Sequence, residues 1–237
     1  MANLYGPRIV TDGLVLYLDA ANNKSYPGNG NVWYDISGNN RNYSINTNFV
    51  SWNSTTKQFD VSYNASLFNF IGPPSDSFGF NSNMEHTILC FNSVSILYSS
   101  VFFSWGASPN TGTDTRAIFT HFPWGNAFIY DVGGCCAATQ RLYNSTLSST
   151  IGTNKFFCGT WRTRTNTTPN REFFQNGVSM INSGSNSTAT MTWNRSDPAG
   201  IAFRWAGKIS NFLAYNRALT NEEILYNYNA LKGRFGL

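Results

Sequence analysis

The sequence predicts an all-β chain that ends in one short helix. Three observations carry this. Short runs of β-branched and aromatic residues recur along the whole chain, separated by stretches rich in Gly, Asn, Ser and Pro. No apolar pattern of helical period precedes residue 220. Asparagine, a turn former with weak helix propensity, supplies 31 of the 237 residues. Roughly a dozen short strands at this spacing mean a sandwich or barrel rather than a parallel sheet with crossover helices.

The elements follow in chain order. Leu14 to Leu18 is a short apolar run closed by Asp19-Ala20-Ala21-Asn22-Asn23. His86 to Tyr98 is β-branched and aromatic. Arg116 to Phe122 and Ala127 to Val132 read as two strands joined by the turn Pro123-Trp124-Gly125-Asn126. Lys155 to Thr163 is a further strand. Glu172 to Gln175 and Val178 to Ile181 flank Asn176-Gly177, the strongest short hairpin signal, because both turn residues need positive φ. Ile201 to Tyr215 reads as two strands around Ala206-Gly207.

The helix is marked at both ends. Thr220 and Glu223 are spaced as a capping box, Leu219 and Ile224 as a hydrophobic staple, and Gly233 stands where the helix should stop. Ile224, Tyr228 and Leu231 make one face apolar. Three turns are marginal alone, so this helix must dock; the expected place is one end or edge of the sandwich. The tail Lys232 to Leu237 is either a docking peptide or a frayed end.

Composition narrows the function classes. Aromatics are 16% of residues, enough for a large core without metal or disulfide. Charged residues are only 12%, about half the ordinary share. A neutral, amide-rich surface suits packing into an assembly or contact with sugar. The net charge of +4 is spread without a basic run, so no nucleic-acid partner is expected. No apolar stretch approaches the ~20 residues of a membrane span, so no membrane insertion is expected. The N-terminus lacks a signal-peptide pattern, which points to synthesis in a reducing cytoplasm with Cys90, Cys135, Cys136 and Cys158 as free thiols. Eight Asn-x-Ser/Thr sequons occur, against about six expected by chance at this Asn, Ser and Thr content, so they are no sign of glycosylation.

Chemistry-bearing residues are sparse. His86 and His121 are far apart with no nucleophile motif beside them. Glu222 and Glu223 are explained by the helix start. Asp60, Glu85, Asp131 and Glu172 read as isolated at strand ends. A lectin site needs an exposed aromatic ring for the apolar face of a sugar and neutral groups for its hydroxyls. Trp124, with Asn126 beside it, is the first candidate, since a large ring at a hairpin tip needs a reason. Trp193 is the second. The alternative for both rings is that they fold back over the sandwich or press on a neighbouring subunit.

One stretch carries a resemblance. Gly207-Lys208-Ile209-x-x-Phe212-x-x-Tyr215-Asn216-Arg217-Ala218-Leu219-Thr220-x-x-Glu223-Ile224 resembles the C-terminal signature of concanavalin A-like, laminin-G-like jelly rolls. Leu14 to Ala20, the turn Asp35-Ile36-Ser37-Gly38-Asn39, the strand at Thr87-Ile88-Leu89 and the hairpin at Phe173 to Val178 fit that family in order. The likeness implies a concanavalin A-like jelly-roll β-sandwich over residues 13–232, with the helix at about 221–232, an arm at 1–12 and a tail at 233–237. Residues 13–39 and 226–237 further resemble laminin-G-like proteins of phage and large-virus particles.

The resemblance implies a virion protein that binds host-surface carbohydrate. Its alternative is a structural subunit (a capsid decoration, vertex or fibre-associated piece) whose partners are other virion proteins, with a homo-oligomer allowed. It also implies calcium (Ca2+), with Asp35 and the Asn39 amide as ligands. However, the last strand reads Ile209-Ser210-Asn211-Phe212, where relatives often carry an acidic residue, and Asp35 has the alternative role of holding its turn. Glucanases of this class carry Glu-x-Asp-x-Glu on one strand; nothing like it occurs here, and the expectation is that the chain is not an enzyme.

Overall fold

The computed structural model describes residues 8–80, 85–95, 100–106, 117–125, 127–134, 141–145, 154–165, 170–183 and 197–237. Their strands, in chain order, begin with β1 (Leu14–Asp19), β2 (Val32–Trp33), β3 (Tyr43–Ile45), β4 (Val50–Asn53), β5 (Gln58–Val61) and β6 (Phe68–Pro74). A 3-10 turn, Ser75–Phe78, leads to β7 (His86–Val94), β8 (Val101–Trp105), β9 (Ile118–Trp124), β10 (Ala127–Val132) and β11 (Arg141–Asn144). The series closes with β12 (Phe157–Thr163), β13 (Arg171–Gln175), β14 (Val178–Ser183), β15 (Pro198–Phe203), β16 (Gly207–Ile209) and β17 (Asn211–Tyr215), followed by helix α1 (Asn221–Lys232).

These strands form two antiparallel sheets. The first runs β14-β13-β12-β7-β16-β5-β4, with β17 also on β7 and β1 on β17. The second runs β11-β10-β9-β8-β15-β6-β3-β2. The expected sandwich is therefore present. The stretch from Ile201 to Tyr215 differs in detail: it holds three strands, because the chain leaves the sheet at Arg204 to Ala206, with Arg204 at φ 50°, and again at Ser210. At Gly207 the backbone passes so close to the Ser93 carbonyl that a Cβ would stand 1.9 Å from its oxygen. The Asn176-Gly177 turn is as expected, with φ of 54° and 81°.

The aromatic content fills the space between the sheets. Trp33, Trp105, Trp161 and Trp205 are all fully buried. Trp161 of the first sheet meets Phe103 of the second at 5.1 Å and Phe173 at 5.3 Å, both edge-to-face, a spacing at which such rings attract. Cys90 and Cys158 are free thiols in the first sheet, and burial pushes both thiol pKa values up, which makes them inert.

Helix α1 does not sit at an end or edge. It lies on the outer face of the first sheet, where Leu89, Phe91, Phe174, Leu213 and Tyr215 form a second apolar layer with Leu219, Ile224, Leu231 and Phe235. The physical reason is that β7, β12 and β17 are apolar on both faces, so a cover is needed on the side away from the core. Arg162, nearly buried, ties the two layers: its Nη1 donates to the Leu219 carbonyl at 2.7 Å and its Nε to Glu172 Oε2 at 2.8 Å. The tail is neither frayed nor free. Phe235 is buried against Phe91, 5.0 Å between rings.

The capping box is formed. Glu223 N donates to Thr220 Oγ1 at 3.2 Å, and Thr220 N donates to Glu223 Oε2 at 2.8 Å. Arg217 also grips Glu223, at 2.7 and 2.8 Å. This hydrogen-bonded pairing holds the Glu223 carboxyl below its ordinary value of 4.5. A depressed carboxyl stabilises the fold above the unfolded value, and that contribution is lost as pH falls through the folded one. Glu223→Gln is therefore expected to cost about 1 kcal/mol at pH 7 and to cost progressively less below roughly pH 4.5. Thermal melts of both forms across pH 3 to 8 would check this; a constant gap would refute it.

Candidate functional site

The second sheet has an outer face of its own. Phe68, Val101, Phe119 and Phe203 cluster there, apart from the inter-sheet core. Residues directly opposite on paired strands share a face. Phe119 pairs with Asp131, and Asp131 with Arg141. Two residues along, His121 pairs with Ile129, and Ile129 with Tyr143. The outer face of β9, β10 and β11 thus presents two rows: Phe119, Asp131 and Arg141, then His121, Ile129 and Tyr143.

Within these rows burial varies sharply. Asp131 is fully buried, and Arg141 grips it with a fork, Nε to Oδ1 at 2.6 Å and Nη2 to Oδ2 at 2.7 Å. That hydrogen bonding holds the Arg141 guanidinium above its usual pKa. His121 is buried, and its Nδ1 donates to the Ser100 carbonyl at 2.8 Å. Two rings stand out to solvent: Tyr143 at 57% exposure and Trp124 at 48%.

Trp124 ends β9 rather than capping a loop, and it pairs with Ala127 across a turn made tight by Gly125 at φ 59°. The preceding residue is held twice by one neighbour: the Pro123 carbonyl accepts from Ser100 N at 3.1 Å and from Ser100 Oγ at 2.9 Å. The indole then leans edge-on against His121, 4.4 Å between centroids. Trp124 is thus an exposed ring with a fixed orientation, which is what a stacking platform requires.

Of the other residues predicted for a site, Asn126 and Trp193 lie outside the described residues. Asp131 and Glu172, read as isolated, are not: each carries an arginine, Arg141 and Arg162 respectively. Both partners lie 10 residues away and meet across a strand pair. Tyr143 was not singled out by the sequence, although the alternation of Arg141-Leu142-Tyr143 marks its outward direction.

Asp35 and Asn39 do come together, but around the turn itself. Asp35 Oδ1 accepts from Tyr17 N and Ser37 N, and Oδ2 from Ser37 Oγ and Arg41 N, all at 2.9 Å. Asn39 turns its amide nitrogen to the Val15 carbonyl at 3.3 Å, an oxygen that Arg41 Nη1 also holds at 2.7 Å. Both carboxylate oxygens are thus engaged by chain donors, and a guanidinium sits alongside. Among the described residues no group of three or more His, Cys, Asp or Glu is placed to share a metal. These residues do not fit a calcium site; they fit a braced turn. Asp35→Ala is expected to cost about 2–4 kcal/mol through four orphaned donors, whereas a chelator is expected to leave the wild-type melting temperature unchanged. A chelator-induced drop would restore the metal.

No family model and no curated protein matches the chain. Solved structures do match its fold. A sialidase of Trypanosoma rangeli in complex with sialic acid superposes with a TM-score of 0.61 at 12% identity, covering 94% of this chain and 33% of that one. The binding domain of botulinum neurotoxin DC in complex with rat synaptotagmin II gives 0.63 at 18% identity, covering 94% of this chain and 52% of that one. The same domain in complex with SialylT gives 0.62 at 18%, covering 93% and 52%. The chain thus spans about a third of the sialidases' length and about half of the toxin domain's. The fold is a concanavalin A-like β-sandwich with one short C-terminal helix. These matches also correct one expectation, that the chain is not an enzyme. The first of them are sialidases, in which a unit of this fold occupies a third of an enzyme chain, so a missing carboxylate pair in this stretch does not exclude catalysis.

Proposed function

We propose that this chain is a carbohydrate-binding module and that its contact face is the outer side of β9, β10 and β11. The observation that carries this reading is Trp124, a half-exposed indole that leans on His121, next to a Pro123 carbonyl that Ser100 holds, rather than folding into the core. An indole face accepts the C–H side of a pyranose, and Tyr143 offers a second ring two strands away on the same face. Neighbours of the fold that were solved with sialic acid or SialylT support glycan as the ligand class. The resemblance of residues 13–39 and 226–237 to proteins of phage and large-virus particles supports display on a virion, with host-surface carbohydrate as the target.

The purified chain on an array of sialylated, neutral and bacterial or algal surface glycans tests this. Saturable binding to at least one class is expected. A second reading draws on the same exposed rings: a structural subunit that buries Trp124 and Tyr143 against another virion protein, as aromatic anchors do at interfaces. A blank array, with cross-linking from Tyr143 to a particle protein, would establish that reading instead.

A further inference from the structure

On the opposite side of the sandwich, a cleft of about 530 Å³ lies between the N-terminal arm, β1 and the end of α1. Its volume is that of a small-molecule site. Ile9, Leu14, Ile36 and Leu231 give it apolar walls. Arg8 and Arg234 stand among its lining residues, which include no carboxylate.

The walls are held by bonds that a ligand need not supply. Val10 N donates to Asn227 Oδ1 at 2.8 Å, and Tyr215 Oη donates to the Val10 carbonyl at 3.0 Å, so the arm is pinned to the helix. On the far side, Arg234 Nη1 reaches the fully buried Asp19 at 2.6 Å, which fixes the tail to β1. Asp19 balances Arg234. Arg8 is exposed, and among the described residues no carboxylate pairs with it. The cleft is therefore preformed, apolar inside and positive at its edge.

We propose that this cleft binds a small amphipathic anion, an aliphatic or aromatic body that ends in a carboxylate or sulfonate. The body replaces water against Ile9, Leu14, Ile36 and Leu231, and the anionic head lies by Arg8. A neutral or cationic molecule of the same body gains only the apolar part. The site is separate from the Trp124 face, so its fate is independent of the glycan reading.

The test is calorimetric titration of the full chain with decanoate and with decylammonium, both below their micelle concentrations. Methyl resonances of Ile9, Leu14 and Leu231 would be followed in parallel. Decanoate is expected to saturate one site and shift those methyls, and decylammonium is expected to bind at least tenfold more weakly. Arg8→Glu is expected to weaken decanoate about tenfold with the melting temperature unchanged, since the exposed Arg8 side chain makes no hydrogen bond or ion pair among the described residues. Ile36→Ser is expected to weaken both probes alike. Equal affinity for the two probes, indifference to Arg8→Glu, or no binding of decanoate at millimolar concentration would each overturn the assignment.

Discussion

Replacing Ile224 with Asp is expected to remove about 4–5 kcal/mol of stability and to lower the melting temperature by about 10–15 °C. Ile224 is fully buried in the layer between α1 and the first sheet. Its loss alone costs a large aliphatic contact. The carboxylate that replaces it enters a layer of Leu, Phe and Tyr side chains, where it must either lift the helix off the sheet or take up a proton. Lifting the helix uncovers Leu89, Phe91, Leu213 and Leu231 together and releases the Arg162 bond to the Leu219 carbonyl. The control is Tyr226→Asp, on the half-exposed side of the same helix, expected to change stability by no more than about 0.5 kcal/mol. If the two variants melted within about 2 °C of each other, helix docking would contribute little to this fold.

How far the sequence foretells this arrangement depends on the range of each signal. The capping box at Thr220 and Glu223 and the turn at Asn176-Gly177 are local, and both are found where the residues place them. The helix's position is not local. It follows from which outer sheet face is apolar, and that signal was present: β17 reads Asn-Phe-Leu-Ala-Tyr, with Phe212 and Ala214 in the core and Leu213 and Tyr215 under the helix. A strand apolar on both faces requires a cover on its outer side. The ion pairs of Asp131 and Glu172 were hidden for a related reason. A cross-strand partner depends on register, and a one-residue slip would send the side chain to the other face. Trp124 was visible as a ring at a hairpin, but its direction was not. That depends on Ser100, which holds the Pro123 carbonyl from a different strand's approach. The turn at Asp35 shows the converse: its residue types suit a cation and a braced loop equally, and only the geometry of Arg41 and Tyr17 separates them.

Trp124→Ala is expected to weaken glycan binding about thirtyfold, a loss of about 2 kcal/mol, with stability changed by less than about 1 kcal/mol. The two figures separate because the indole is 48% exposed and gives the fold little beyond its 4.4 Å edge contact with His121. Trp124→Phe, which keeps a smaller ring in place, is expected to lose only about threefold. Tyr143→Ala is expected to fall between them, since that ring is exposed but stands across β10 from Trp124. Stacking on a neutral ring is not an ionic contact, so the wild-type affinity should change little between low and high salt, where charge-steered binding would fall steeply. A Trp124→Ala protein that folds normally and still binds with full affinity would remove this face from consideration. The exposed rings would then be read as the anchors of a protein interface, where the same substitution should release a particle partner instead.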